Sequence, residues 1–318
     1  MIRIITRLFA VAVAVAAFLL VAPPFAAAGS LVTFVSNTGS DNNPCSAALP
    51  CATILVAVSA TTSGGQVNCL NSPYGNIENV FTVLFLNYSV TIDCPGVVEN
   101  GPNAPLLRIE GTDNVVKFRN LTFSGADGGS TPLPFTGAGT LILENCVFEN
   151  YNAPNASLDL EPTGPLNLVI RNSRISNGGT VAVILKPAAG GSINATFDHV
   201  TVTKNGGGGI RLDTTNGPVT ADVTDSVISN NAGNGLNANG GAGGAALLSI
   251  HNSVIAKNGQ AGVGASGASG AAMVDTTLLD SNASGATSVA SGGHMLTYVN
   301  NRIVGSAGSG FTATASPQ

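Results

Sequence analysis

The segment Leu168-Val-Ile-Arg-Asn-Ser-Arg-Ile175 decides the fold, because its pattern returns 80 residues later as Leu248-Ser-Ile-His-Asn-Ser-Val-Ile255. In each copy a short run, in which apolar residues alternate with other residues, leads to one polar residue. A small, a variable and an apolar residue follow it. The alternation predicts β-strands and argues against helical repeats. Self-similarity of this kind is typical of a repeat protein.

The polar residue of this unit recurs along most of the chain, in steps of 24 to 27 residues. A leucine-rich repeat has a similar length, but the leucine framework that surrounds its asparagine is missing here. Each unit is therefore one coil of a different solenoid. The aligned polar residues are Asn68, Asp93, Asn120, Asn145, Asn172, His199, Asp225, Asn252, Thr276 and Asn300.

Each coil is expected to hold three strands separated by tight turns. The aligned polar residue takes the first bend, because Asn and Asp tolerate left-handed dihedral angles. A second polar turn such as Asn177-Gly178-Gly179 and a third strand such as Gly209–Asp213 follow. Coils about 4.8 Å apart would let the asparagines of the first bend form an amide ladder. Because parallel crossovers are right-handed, the sequence predicts an all-β, right-handed parallel β-helix of about ten coils.

The two ends of the chain suggest its domain organisation. Arg3 and Arg7 precede an apolar run and the small residues Ala26-Ala27-Ala28, which predicts a secretory signal peptide over residues 1–28. We therefore expect a secreted or periplasmic protein with no membrane span after processing. A solenoid must cover its open first coil, and residues 52–60 suit a short capping helix. The predicted regions are a cap at 29–66, the parallel β-helix at 67–305 and a polar tail at 306–318.

Composition limits the chemistry that the chain can support. Charged residues make up only 9% of the sequence, and the net charge is −5. Nucleic acid is not an expected partner, because phosphate binding needs a basic face. The three histidines, His199, His251 and His294, form no set with metal-ligand spacing, so no metal site is predicted.

The five cysteines suggest two disulfides and one free thiol. Cys69 and Cys94 follow bend residues on adjacent coils, and the coil spacing of about 4.8 Å suits a disulfide. Cys45 and Cys51 would then close a small loop before the capping helix. Cys146 is expected to be a buried small residue rather than a nucleophile, because no activating base lies in that interior column.

The region before the first coil resembles the N-terminal region of bacterial right-handed parallel β-helix repeat proteins of the pectin-lyase-like superfamily. The resemblance implies polysaccharide lyase, glycoside hydrolase or esterase activity, at a site on the outer face of the strand after the glycine turn. The signatures of the polygalacturonase-like enzymes are absent. The residues that carry the resemblance are Thr33-Phe34-Val35-Ser36, Gly39-Ser40-Asp41, Pro44-Cys45, Pro50-Cys51-Ala52-Thr53 and Gly64-Gly65.

The outward positions of the third strands contain the densest cluster of charge in the chain. Aligned by their distance from the bend, these positions stack into two columns on the face where the resembling enzymes hold their sites. Asn237 and Asn239 are candidate ligand-binding residues on this face. One column is Asp159, Ile184, Arg211, Asn237 and Gly264, and the other is Glu161, Lys186, Asp213, Asn239 and Ser266.

This face permits several functions. A lyase would use Arg211 or Lys186 to take a proton, while Asp159, Glu161 and Asp213 would hold a calcium ion beside a uronate. An inverting hydrolase would use Glu161 and Asp213, which lie about 9.6 Å apart if they are two coils apart. A solvated ladder of surface ion pairs is the non-catalytic interpretation.

The sequence therefore leaves the question of enzyme activity open. The first hypothesis is an exported protein that binds or acts on an acidic polysaccharide or cell-surface glycan, with calcium needed only by a lyase. The alternative is a surface, adhesion or structural module without catalytic activity.

Overall fold

The computed structural model describes residues 29–70, 83–99, 106–125, 133–151 and 156–314. The predicted signal peptide lies outside the described residues. No helix within these ranges is long and apolar enough to cross a membrane. Their elements are β1 (Ser30–Val35), α1 (Ile54–Ser59), β2 (Thr61–Cys69), β3 (Val83–Leu86), β4 (Val90–Glu99), β5 (Leu106–Ile109), β6 (Val115–Ser124), β7 (Leu133–Gly137), β8 (Gly139–Glu144), β9 (Val147–Glu149), β10 (Leu158–Leu160), β11 (Pro165–Arg171), β12 (Arg174–Ser176), β13 (Val183–Leu185), β14 (Ser192–Asp198), β15 (Thr201–Thr203), β16 (Ile210–Asp213), β17 (Val219–Thr224), β18 (Val227–Ser229), β19 (Leu236–Asn239), β20 (Ala246–His251), β21 (Val254–Ala256), β22 (Val263–Ser266), β23 (Gly270–Asp275), β24 (Leu278–Asp280), β25 (Thr287–Ala290), β26 (His294–Thr297), β27 (Arg302–Val304) and β28 (Ala313–Thr314).

The strands stack into three columns, which form the three faces of a β-helix. The first face runs from β2 through β11 and β14 to β26, and the second runs from β9 through β12 to β27. The third face is a nine-strand sheet in the order β3-β5-β7-β10-β13-β16-β19-β22-β25. Neighbouring named strands pair in parallel, for example β11 with β14 and β13 with β16. The predicted all-β parallel β-helix is therefore confirmed.

The described residues contain eight coils in which all three faces are present, from β4–β5 to β23–β25, with partial coils at both ends. The sequence predicted about ten coils. The difference arises at the ends, where the first and last aligned bends belong to coils that lack a described strand on one face.

The alternating pattern of each strand places one set of side chains inside the coil. On β11, Leu166, Leu168 and Ile170 are buried, while the residues between them point outward. Aromatic side chains stack in the same way between coils, and the rings of Phe123 and Phe148 lie parallel with centroids 4.7 Å apart. Burying a large apolar side chain contributes about 1.5–3 kcal/mol, so one continuous interior column stabilises every coil.

The first bend adopts the left-handed conformation predicted for it. From Asn120 to Thr276 the aligned bend residues have φ between 45° and 62°. The alignment is wrong by one residue at both ends. Asp93 pairs with Arg119 instead of Asn120, because Cys94-Pro95 forms a bulge opposite the single residue Asn120.

In the last coil the left-handed residue is Val299 rather than Asn300. The side chain of Asn300 nevertheless reaches the preceding coil, where it donates to Asp275 and Thr276. The expected amide ladder on the first bend is present in segments. Asn120 donates to Asp93 over 2.7 Å, and Asn145 donates to Asn120 over 3.3 Å.

A continuous buried ladder lies at the second turn. Each Nδ2 atom donates to the Oδ1 atom of the asparagine on the next coil, from Asn205 to Asn231, then Asn258, then Asn282, over 2.8 to 3.0 Å. The Nδ2 atoms also donate to strand carbonyls, as Asn231 does to Val202. All four side chains are buried, and the hydrogen bonds offset the cost of removing their amides from water. The sequence indicated polar turns here but gave no sign that they were interior.

Replacing Asn231 with alanine tests the contribution of this ladder. The substitution removes the Oδ1 acceptor of the Asn205 amide, which keeps its bond to the Thr203 carbonyl, and the side-chain donor to the Val202 carbonyl, so we expect a loss of about 1–3 kcal/mol in the free energy of unfolding. Chemical denaturation measures this loss. Asn194→Ala, at an exposed strand position, is the matched control and should change stability by less than about 0.5 kcal/mol. Equal effects of the two substitutions would rule out a stabilising ladder.

The N-terminal end is covered by a strand and a helix. β1 pairs with the first-face strand β2, and α1 places Ile54, Ala57 and Val58 in the core. The helix is shorter than the predicted 52–60, because Thr53 caps it and Ala60 ends it. Asp41 anchors the cap by accepting hydrogen bonds from the Thr53 N–H at 2.9 Å and its hydroxyl at 3.1 Å.

The C-terminal end is covered by residues that follow the last second-face strand. β28 pairs with β26, and Phe311 packs against the core. Thr312 exchanges hydrogen bonds with the backbone of Met295. Strand pairing thus continues past residue 305, where the sequence placed the end of the β-helix.

Both predicted disulfides are formed. The Cα atoms of Cys45 and Cys51 lie 4.6 Å apart, and those of Cys69 and Cys94 lie 4.7 Å apart. Cys146 is free and buried, and its burial raises the pKa of the thiol to about 12. A thiol that keeps its proton at neutral pH is not a nucleophile, so Cys146 serves as a small core residue.

Candidate functional site

The third sheet holds the predicted outward columns in register. Asp159 pairs with Ile184, Ile184 with Arg211, and Arg211 with Asn237 on successive strands. Asn237 in turn pairs with Gly264. Between these positions the strands bury residues such as Leu158 and Leu160, so alternation forces the polar residues outward. The structure therefore brings the first column together as a single row.

The second column lies two residues further along the same strands. Asp213 pairs with Asn239, and Asn239 pairs with Ser266. The hydroxyl of Ser266 donates to Asn239 Oδ1 over 2.7 Å. Glu161 and Lys186 directly follow the ends of β10 and β13, where their backbone N–H groups still bond the preceding coil. The two columns together form the outer face of the third sheet.

The cations on this face are each close to a carboxylate. Lys186 Nζ lies 3.2 Å from Glu161 Oε1, and both side chains are about half exposed. Arg211 Nη2 lies 3.6 Å from Asp213 Oδ2. Asp213 is more enclosed, with 13% of its side chain exposed, and it also accepts hydrogen bonds from Thr215. Exposed ion pairs contribute only about 0–1 kcal/mol each, so these contacts give little of the stability of the fold.

Asp159 has an altered acidity at this site. Partial burial raises the pKa of its carboxyl group, and the charge of Glu161 raises it further. Lys186 and Arg211 act in the opposite direction with smaller effects. A carboxyl group that keeps its proton to higher pH has the property required of a general acid.

Asp159→Asn tests this shift. Because the pKa of Asp159 is raised in the folded state, its ionisation at neutral pH disfavours folding. The amide should therefore raise the melting temperature at pH 7. The gain should disappear as the pH falls below the usual carboxyl value of 3.8, where Asp159 is protonated in both states. Thermal melts across this pH range measure the difference, with the exposed Asp222→Asn as control. A gain independent of pH would contradict the assignment.

A cavity of about 200 Å³ opens beside Arg211, where the second turn leads into the third strand. Arg211 Nε is buried there and has no hydrogen-bond partner among the described residues. The sequence had singled out Arg211 and Asn237 but missed Asn234 and Gln260. The sequence signal that could have located these turn residues is the glycine that lies immediately before, or close to, each third strand. The lining residues are Val181, Gly208, Ile210, Arg211, Gly233, Asn234, Asn237 and Gln260.

Comparison with known proteins agrees with this architecture. A family model described as the right handed beta helix region matches residues 106–278, more than half of the chain. The chain belongs to this right-handed β-helix family. A comparison with curated protein sequences finds no significant match.

Solved structures of the same general fold include several enzymes. This β-helix is 14% identical to pectate lyase Pel9A, with a TM-score of 0.52 over 89% of this chain and 78% of that one. A rhamnogalacturonan lyase is 13% identical, with a TM-score of 0.36 over 79% of this chain and 74% of that one. The GH136 lacto-N-biosidase from Eubacterium ramulus is 11% identical, with a TM-score of 0.40 over 90% of this chain and 67% of that one. The similarity to the pectate lyase, at 14% identity and a TM-score of 0.52, shows the fold alone.

One group of metal-ligand side chains lies elsewhere on the β-helix. Ligand atoms of Asp198, His199 and Asp225 all lie within 4.8 Å of one another. His199 Nδ1 is 2.5 Å from Asp198 Oδ1, and this contact raises the pKa of the imidazole. The carboxylates that coil stacking brings to His199 were not predictable from the spacing of the three histidines. These residues lie at the first bend, away from the third sheet.

Proposed function

We propose that this β-helix protein binds or acts on a polysaccharide along the outer face of its third sheet. Acidic units of the polymer would face Lys186. The single observation that carries the proposal is the convergence of five charged side chains and an amide-lined cavity on one sheet face. The two disulfides and the predicted signal peptide support an activity outside the cytoplasm.

The geometry of the sheet suits a polymer of repeating units. Strands about 4.8 Å apart present the same kind of side chain at regular intervals, so one chain can contact several coils. The fold is shared with a pectate lyase, which supports a polysaccharide as the class of ligand. With no tryptophan and four tyrosines in the chain, polar contacts rather than aromatic stacking would hold the sugars.

Two reactions are compatible with the side chains on this face. Hydrolysis would use Asp159 as proton donor, since its pKa is raised, together with Glu161 or Asp213 as the second carboxyl group. Elimination would use Lys186 or Arg211 to take the proton beside a uronate, with calcium held by the carboxylates. Calcium dependence therefore separates the two.

The alternative proposal is a non-catalytic surface or adhesion module. The contacts from Lys186 to Glu161 and from Arg211 to Asp213 favour it, because paired cations are less available to a substrate. On this proposal the sheet face is a solvated ladder, and the loops hold a protein partner without any reaction.

A polysaccharide screen tests the proposed function. The purified protein is incubated with uronate-containing and neutral polysaccharides, with and without calcium, while unsaturated uronate absorbance, reducing ends and binding are measured together. Binding or turnover of at least one polysaccharide is expected. Silence in all three measurements would move the conclusion to the non-glycan surface module.

Two matched arginine variants locate the activity on the third sheet. Arg211→Ala should reduce binding or turnover at least tenfold and leave the melting temperature within a few degrees, because the contact to Asp213 is long and Asp213 keeps its hydrogen bonds from Thr215. Arg174→Ala removes a comparable exposed ion pair, with Glu149 on the second face, and should leave binding unchanged. Equal losses in the two variants would exclude the third sheet as the site.

A further inference from the structure

We propose that the cavity beside Arg211 is a pocket for one uncharged sugar residue, which it recognises by hydroxyl or acetamido oxygens. The proposal rests on the proposed function and deepens it, because it names the chemical class of one unit of the bound polymer. The unit held here differs from the acidic units expected opposite Lys186.

Glycines create the space for this pocket. A Cβ atom on Gly208 would lie 3.0 Å from the carbonyl oxygen of Asn234, and one on Gly233 would lie 3.0 Å from the nitrogen of Gly208. The turns of adjacent coils therefore pack backbone against backbone, and no side chain fills the opening above them. A Cβ atom on Gly264 would lie 2.6 Å from Asn237 Oδ1 and 3.3 Å from Asn234 Nδ2. The missing side chain at Gly264 leaves room for both amides to face the cavity.

The polar groups that line the pocket have unused hydrogen-bonding capacity. The Nε–H of Arg211 is buried without a protein acceptor in the described part of the chain. Asn234 Oδ1 accepts from the Ala261 N–H over 3.0 Å, which leaves its NH₂ group free to donate. The Nε–H is closed off from solvent, so a ligand in the pocket would be bound by the amide groups of Asn234, Asn237 and Gln260.

The charge balance around the pocket favours a neutral ligand. Arg211 is the one charged residue among those that line it, and its Nη2 end already faces Asp213. The remaining side-chain donors and acceptors are the uncharged amides of Asn234, Asn237 and Gln260. A carboxylate entering here would meet a cation whose charge Asp213 already partly compensates, so the pocket attracts an anion only weakly.

The size of the pocket limits the ligand to one sugar ring. Its volume of about 200 Å³ lies below the roughly 300–1,000 Å³ of pockets that bury drug-sized ligands. None of the described residues that line it is aromatic, so the ring would be held at its polar edges rather than by stacking. Hydroxyl and acetamido oxygens can accept from the amide NH₂ groups, and hydroxyl hydrogens can donate to the amide oxygens.

Titration of the full mature protein with small sugars tests the pocket. Galactose, N-acetylglucosamine and galacturonate, each also as a short oligosaccharide, are followed by ligand-observed NMR and calorimetry. The neutral sugars should bind at least fivefold more tightly than galacturonate. Gln260→Ala should weaken neutral-sugar binding about fivefold, because it removes an amide partner. Asn194→Ala, on the first face, should have no effect.

Gly264→Ala tests the shape of the pocket. Its Cβ atom contacts the ends of two amide side chains rather than backbone, so the fold should tolerate it while Asn237 is pushed into the cavity. Neutral-sugar binding should fall at least tenfold with an unchanged melting temperature. The pocket assignment is overturned if Gly264→Ala and Gln260→Ala leave sugar binding unchanged, or if galacturonate binds best. The proposed function stands in either case, provided that polysaccharides bind. If neither sugars nor polysaccharides bind, both fall.

Discussion

Hydrogen bonding between coils is the interaction on which this molecule depends. Every strand bonds the strands above and below, and the buried asparagine ladder repeats the same bond at the turn. Because a buried amide without a partner is costly, the ladder allows only one alignment of coil on coil. That alignment also sets the register of β16, β19, β22 and β25 on the third sheet, since each of these strands follows a ladder residue after a short turn. The spacing of Arg211 from Asn237 on the outer face therefore follows from the hydrogen bonds of the asparagine ladder inside the β-helix.

The architecture could be predicted because it depends on local patterns. Alternation gives the strands, and a residue that tolerates left-handed dihedral angles gives each bend, as at Asn145 and Asn252. The prediction missed the register of Asp93 because a bulge at Cys94-Pro95 depends on the neighbouring coil. It also missed the interior position of Asn231, since a polar turn residue has the same appearance in the sequence whether it is buried or exposed.

The candidate site was predictable in part for the same reason. Strand periodicity places Asp159, Arg211 and Asp213 on one face, and the structure has them there in register. The cavity was not predictable, because it arises where turns from four coils meet. Asn234 and Gln260 belong to those turns, and their positions follow from how closely glycine backbones approach one another. Distances between coils, unlike distances along a strand, leave no periodic trace in the sequence.

The two disulfides are both near the N-terminal end, and this gives the molecule a mechanical polarity. In a solenoid each coil contacts only its neighbours, so opening begins at an end and spreads along the axis. Cys45–Cys51 and Cys69–Cys94 hold the cap and the first coils together covalently, whereas β28 is attached by noncovalent contacts. Fraying under heat or pulling force would therefore start at the C-terminal coils and travel toward the cysteines. The third-sheet face would be lost from its Ser266 side first, and the coils nearest the cap would be the last to separate.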